Sequence, residues 1–108
     1  MPLDWNVVVA KYGAGYQVPT IRGGKFVNIV RVDDEAIHIE SPIWKARLQR
    51  KNLEAAVDLI EAEVISRDPG LFVEDYMLYV AHERASSVAH IFRDLGILDQ
   101  TETFHIRC

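Results

Sequence analysis

The chain of 108 residues has a single cysteine, Cys108, at its last position, so no disulfide can close within it. It has no apolar run near the roughly 20 residues that a helix needs to cross a bilayer. Its opening, MPLDWNVVVAKYG, lacks both a basic n-region and a small-residue cleavage site, so it does not read as a secretory leader. These absences lead to the expectation of a reduced, cytoplasmic setting with no membrane partner. There is also no internal repeat, low-complexity tract or linker. One domain over 1–108 is therefore expected, with a sheet-containing half at 1–42 and a helical half at 43–108.

What is present is ordinary for a globular chain: 49% hydrophobic and 26% charged residues. A chain of this length buries about two thirds of its unfolded surface, enough for an independent core. The net charge of −4 hides an asymmetry. Residues 1–52 carry eight Lys/Arg against five Asp/Glu, or +3, and residues 53–108 carry four against eleven, or −7. Asymmetry of this kind marks a candidate polyanion-binding half, although +3 is a small excess for that purpose.

Along the chain, Trp5, Val8, Val9 and Tyr12 fit an amphipathic helix, and Trp5, Val7 and Val9 also fit a strand. The helix is preferred because its face gathers both aromatics, and Gly13-Ala14-Gly15 stops either element. YQVPTI and KFVNIVRV read as strands joined by a turn at Arg22-Gly23-Gly24-Lys25. After Asp33-Asp34-Glu35, AIHIES alternates with Ile37 and Ile39 on one face and His38 and Glu40 on the other. These segments predict a three-stranded antiparallel meander that ends at Ser41-Pro42. IWKARLQRK, with Lys45, Arg47, Arg50 and Lys51, reads as an irregular connector or a short strand.

Asn52 is expected as an N-cap of a helix over 53–66, whose stripe is Leu53, Ala56, Val57, Ile60 and Val64. RDPG at 67–70 is read as a turn. Val73, Tyr76, Met77 and Val80 mark a helix over 72–81. A break at His82–Arg84 precedes a last helix that stops at Gly96, a C′-type glycine, with Ile97 and Leu98 packing back. TETFHIRC is a short strand or a frayed tail. The fold class is therefore α+β: a helix, a three-stranded meander, then three helices.

Residues 72–98 resemble the helix-turn-helix, winged-helix-like DNA-binding superfamily in spacing: helix, short break, helix, then Gly-Ile-Leu. The resemblance covers about a quarter of the chain, and His82-Glu83-Arg84 stands where that superfamily places a turn glycine. It implies that the second helix enters the major groove of duplex DNA. On that helix Val88, Ile91, Phe92 and Leu95 share the apolar face, and Glu83, Ser86, Ser87, His90, Arg93 and Asp94 lie opposite. Ser86, Ser87, His90 and Arg93 are the candidate contacts on this face. Glu83 and Asp94 offset Arg93, so the remaining phosphate contacts must come from Arg22 and Lys25 in the hairpin and from Lys45, Arg47, Arg50 and Lys51. This reading requires those cations to lie beside the outward edge of the last helix.

Other constellations reduce to structural roles. His38, His82, His90 and His105 lack metal-ligand spacing, and the residue four after His82 is Ser86 rather than a second histidine. Ser86 and His90 stand at i, i+4 but no orienting acid is specified. Asp33, Asp34 and Glu35 suit a turn for backbone reasons. YGAGYQ and RGGK lack the context of a phosphate loop. No catalytic residue, metal or cofactor is expected. Leu59 and Tyr79 lie off their apolar stripes and, with Trp5 and Trp44, form a candidate dimer surface. The expected function is a small accessory or regulatory module that contacts duplex DNA as a homodimer. The alternative is a protein-interaction or homodimerisation module without nucleic-acid binding or catalysis.

Overall fold

A computed structural model describes residues 3–20, 25–82 and 84–99. The order is α1 (Trp5–Tyr12), β1 (Tyr16–Pro19), β2 (Phe26–Val32), β3 (Ala36–Ser41), β4 (Trp44–Gln49), α2 (Arg50–Glu61), α3 (Pro69–Tyr79) and α4 (Ala85–Asp94). It is an α+β arrangement of one helix, four antiparallel strands and three further helices.

The opening segment is helical. Asp4 caps it by accepting from the Asn6 N–H at 3.0 Å. Trp5, Val8 and Tyr12 are buried at i, i+3 and i+7, while Val7 and Val9 stay exposed, so the strand alternative fails on burial. Gly15, at φ +99°, turns the chain into β1.

The sheet has the order β1-β2-β3-β4, every neighbour antiparallel. Pro19 closes the edge strand β1, where a missing N–H costs little. The β2–β3 register shifts between Ile29 and Arg31, leaving Val30 exposed. The expected three-stranded meander is corrected to four strands, because β4 pairs with β3 along its whole length, from Ala36↔Gln49 to Ser41↔Trp44. Ser41-Pro42 does not end the sheet. Pro42-Ile43 form a two-residue hairpin turn, and Ser41 Oγ accepts from the Ile43 N–H at 3.2 Å.

Val18, Val27, Ile29, Ile37, Ile39 and Leu48 form the apolar face of the sheet. The helices cover that face: α1 and α4 lie on β2, α4 also on β1, α2 against β4, and α3 against α4. On β4 the alternation puts Trp44, Ala46 and Leu48 towards the core and Lys45 and Arg47 towards solvent on the uncovered side.

Helix boundaries differ from expectation at both ends of α2 and of α3, which stops at Tyr79 rather than 81. α2 starts at Arg50, directly from β4, with Gln49 rather than Asn52 at the N-cap, and ends at Glu61 rather than 66. Beyond it Glu63 adopts φ +62° and Val64 is exposed, so Val64 is not part of the stripe. RDPG starts α3 instead of forming a free turn: Asp68 accepts from the Gly70 N–H at 2.9 Å and Pro69 occupies the first turn. Its buried residues are Pro69, Phe72 and Tyr76, with Val73, Met77 and Val80 packed partly against the core. α4 buries Ala85, Val88, Ala89, Ile91 and Phe92. Gly96 at φ +81° ends it, its N–H and that of Ile97 donating to the Arg93 and Phe92 carbonyls. Leu98 then packs into the core. TETFHIRC lies outside the described residues, as does the Arg22-Gly23-Gly24 part of the first hairpin turn.

Candidate nucleic-acid interface

In a four-stranded meander the β1–β2 and β3–β4 connections fall at one end of the sheet and the β2–β3 turn at the other. Lys25, one residue before β2, and Lys45, the second residue of β4, therefore belong to the hairpin-tip end. The start of α4 reaches the same end. The Arg84 guanidinium stacks on the Trp44 ring, 3.8 Å from its centroid. Arg84 is the N-cap of α4 in a left-handed conformation, φ +50°, and makes no side-chain capping bond. Ser86 follows, exposed, and Ser87 is half-buried. This end thus carries three cations, a helix N-terminus and two hydroxyls, with Arg84 over Trp44 on the covered side of the sheet and Lys45 projecting from the uncovered side. Glu40, paired across the strands with Lys45, is the acid closest in register.

The other candidate residues lie elsewhere. Arg47 points from the uncovered face towards Glu35 at 3.9 Å. Arg50 sits at the opposite end, where its Nε donates to Glu54 at 3.0 Å, a terminal nitrogen donates to the Asp34 carbonyl at 3.1 Å, and its guanidinium lies 5.1 Å from the Trp5 ring centroid. Lys51 is exposed on the first turn of α2 at that same end. The basic cluster expected over 45–51 is therefore split, because a strand followed directly by a helix spreads its members over two faces and two ends. Arg22 lies outside the described residues.

Along α4, His90 and Arg93 are half-buried rather than fully outward, since α3 and the sheet cover most of the helix circumference. Arg93 is nine residues from Arg84, about 14 Å along a helix axis. Asp94 also binds α1. It accepts from the Tyr12 hydroxyl at 2.5 Å and pairs with Lys11 Nζ at 3.0 Å, which ties the end of α4 to α1. Burial, reinforced by the bond to Asp94, raises the Tyr12 phenol far above its ordinary range.

Burial lowers the pKa of His90, with nearby Arg93 acting in the same direction. His90 is accordingly neutral at pH 7 and adds no charge to a phosphate contact. An unfolded chain binds a proton at about pH 6.5 that the folded chain resists, so stability falls as pH drops through that value. The urea midpoint is expected to be lower at about pH 5.5 than at about pH 7.5, and His90→Gln should narrow the gap. Equal midpoints in the two buffers would contradict the assignment.

The remaining polar groups serve the scaffold. Asp33 Oδ1 accepts from the Glu35 and Ala36 N–H groups at 2.8 and 2.9 Å, and Oδ2 sits 2.8 Å from His38 Nε2. The hydrogen bond with His38, followed by those backbone donors, holds the Asp33 carboxyl far below the usual carboxylate range. A cleft of about 300 Å³ between α1, α2 and the 95–97 turn is lined by Val7, Val57, Ile60, Leu95 and Ile97 with Glu61 and Arg67, and no nucleophile–base pair lines it. Among the described residues no group of three His, Cys, Asp or Glu is placed to hold a metal ion, and no helix is long and apolar enough to cross a membrane.

The surface expected for self-association is not assembled. Trp5 is buried, Trp44 and Leu59 are half-buried, and only Tyr79 stands well exposed. The residues that sequence reasoning passed over are Arg84, read as part of a break, and Leu71 and Leu78, which the apolar character of LFVEDYMLY could have flagged. The chain matches no protein-family model, no curated protein and no solved structure.

Proposed function

We propose that this protein is a small accessory or regulatory module of the cytoplasm that contacts duplex DNA through the hairpin-tip end of its sheet and the first turn of α4. The observation that carries this reading is the Arg84–Trp44 stack, which brings the start of α4 to the end where Lys25 and Lys45 reside. Stacking leaves the guanidinium edge free to donate to a phosphate in a fixed orientation. The α4 amides and Ser86 and Ser87 add neutral donors to the same backbone. Arg22, next to this hairpin in sequence, would extend the contact.

Three neutralised phosphates predict a slope of about −2.7 for log affinity against log salt. Binding to a labelled duplex is expected at about 50 mM salt and is weakened steeply by about 200 mM. Lys25→Ala, Lys45→Ala and Arg84→Ala should each weaken binding regardless of duplex sequence and reduce the slope by about one. Lys51→Ala, at the opposite end, should change neither. Absence of binding at low salt, or a slope near zero, removes the reading.

A further inference from the structure

α3, with the sequence PGLFVEDYMLY, carries apolar side chains around its whole circumference. A helix of that kind requires cover on more than one side. The described residues cover one side of it, where Phe72 and Tyr76 are buried and Val73, Met77 and Val80 pack against the core. The opposite side leaves Leu71 55%, Leu78 73% and Tyr79 53% exposed. Leu71, Glu74 and Leu78 stand at i, i+3 and i+7, so the two leucines bracket one exposed acid on a stripe, while half-buried Asp75 accepts from the Ser66 N–H at 3.0 Å.

The charge of this face selects its occupant. α3 contains no lysine, arginine or histidine, and Asp68 caps its start. Glu61 and Glu63 are exposed on the approach to it. The flanking cations are turned elsewhere: Arg67 donates to the Ile97 carbonyl at 3.2 Å and Arg84 lies on Trp44. His82 is exposed beyond the C-terminal end. A second copy docked symmetrically about this stripe would set the two Glu74 carboxylates against each other, and like charges at a desolvating contact disfavour it. A partner with leucine-like side chains flanked by lysine or arginine matches both the apolar anchors and the acids.

We infer that the outer face of α3 docks a basic amphipathic segment of another protein, through Leu71 and Leu78 with Glu74 as the charge partner. The site shares no residue with the proposed DNA contact, so each stands or falls alone. The recognition mode is a helix laid against a helix, read by anchors at i and i+7.

The test uses the full chain and a synthetic peptide of about 18 residues, or about five helical turns, with leucines on one face and lysines on the other. A second peptide has glutamate in place of every lysine. Titration by fluorescence anisotropy is expected to show the lysine peptide binding at least about tenfold more tightly than the glutamate peptide. The double substitution Leu71→Ser/Leu78→Ser should weaken the lysine peptide by about tenfold or more, with little change in Tm because both side chains are exposed. Glu74→Lys should weaken it as well, while Asp34→Lys, at the β2–β3 turn, should not. Equal binding of the two peptides overturns the inference, as does binding indifferent to Leu71→Ser/Leu78→Ser. So does self-association of the chain that Leu78→Ser abolishes, since that outcome makes a second copy the occupant.

Discussion

Phe92→Ala is expected to lower the unfolding free energy by about 3–5 kcal/mol, a large part of the roughly 5–15 kcal/mol available to a domain of ordinary stability. Phe92 is fully buried in the last turn of α4, and its ring meets that of Phe72 on α3 at 5.5 Å between centroids. The same helix rests on β1 and β2, so the ring sits where helix, helix and sheet converge. Truncation removes the aromatic pair and leaves a cavity that close-packed neighbours fill only partly. Urea unfolding provides the measurement. A loss below about 1 kcal/mol would mean that α4 is not seated on α3 as described. The consequence extends to the proposed DNA contact, because the seat of α4 is what carries Arg84 to Trp44.

Trp5→Ala is expected to cost a similar amount, about 3–5 kcal/mol, by a different route. Trp5 is buried at the start of α1, and its Nε1 donates to the Asp33 carbonyl at 2.8 Å. Arg50 lies over its ring, so one side chain joins α1, the β2–β3 turn and the start of α2. Trp5→Phe separates the contributions. It keeps most of the apolar contact but leaves the Asp33 carbonyl without its donor, at about 1–2 kcal/mol. Equal stability of Trp5→Phe and the parent chain would show that the hydrogen bond is matched by water in its absence.

Both substitutions act at positions where the sequence pattern was readable but its consequences were not. The alternation of Ile37 and Ile39 against His38 and Glu40 predicts β3 correctly, because a strand with one covered face repeats every two residues. Trp44-Lys45-Ala46-Arg47-Leu48-Gln49 alternates equally well. Its cations and the preceding Ser41-Pro42 obscured that signal, and only the pairing with β3 establishes the fourth strand. At α3, Asp-Pro-Gly suits both a turn and a capped helix start. The choice is made by Phe72, whose burial draws the first turn onto α4. Arg50 looked like part of a basic patch, yet Glu54 and the Asp34 carbonyl take up its donors.

Local order therefore followed from the amino-acid sequence by itself at two hairpin strands and their neighbour and at the Gly96 stop. Each depends on hydrogen bonds or side-chain spacing within a few residues. The opening segment, by contrast, suited helix and strand alike until burial of Trp5, Val8 and Tyr12 chose the helix. Tertiary structure alone decided which charges remain available and which of them are neighbours. Arg84 and Trp44 are forty positions apart and meet only because α4 crosses the covered face of the sheet. Lys45 and Arg50 are five apart and lie at opposite ends, because a strand carries its residues about 3.3 Å further with each step before the helix turns back.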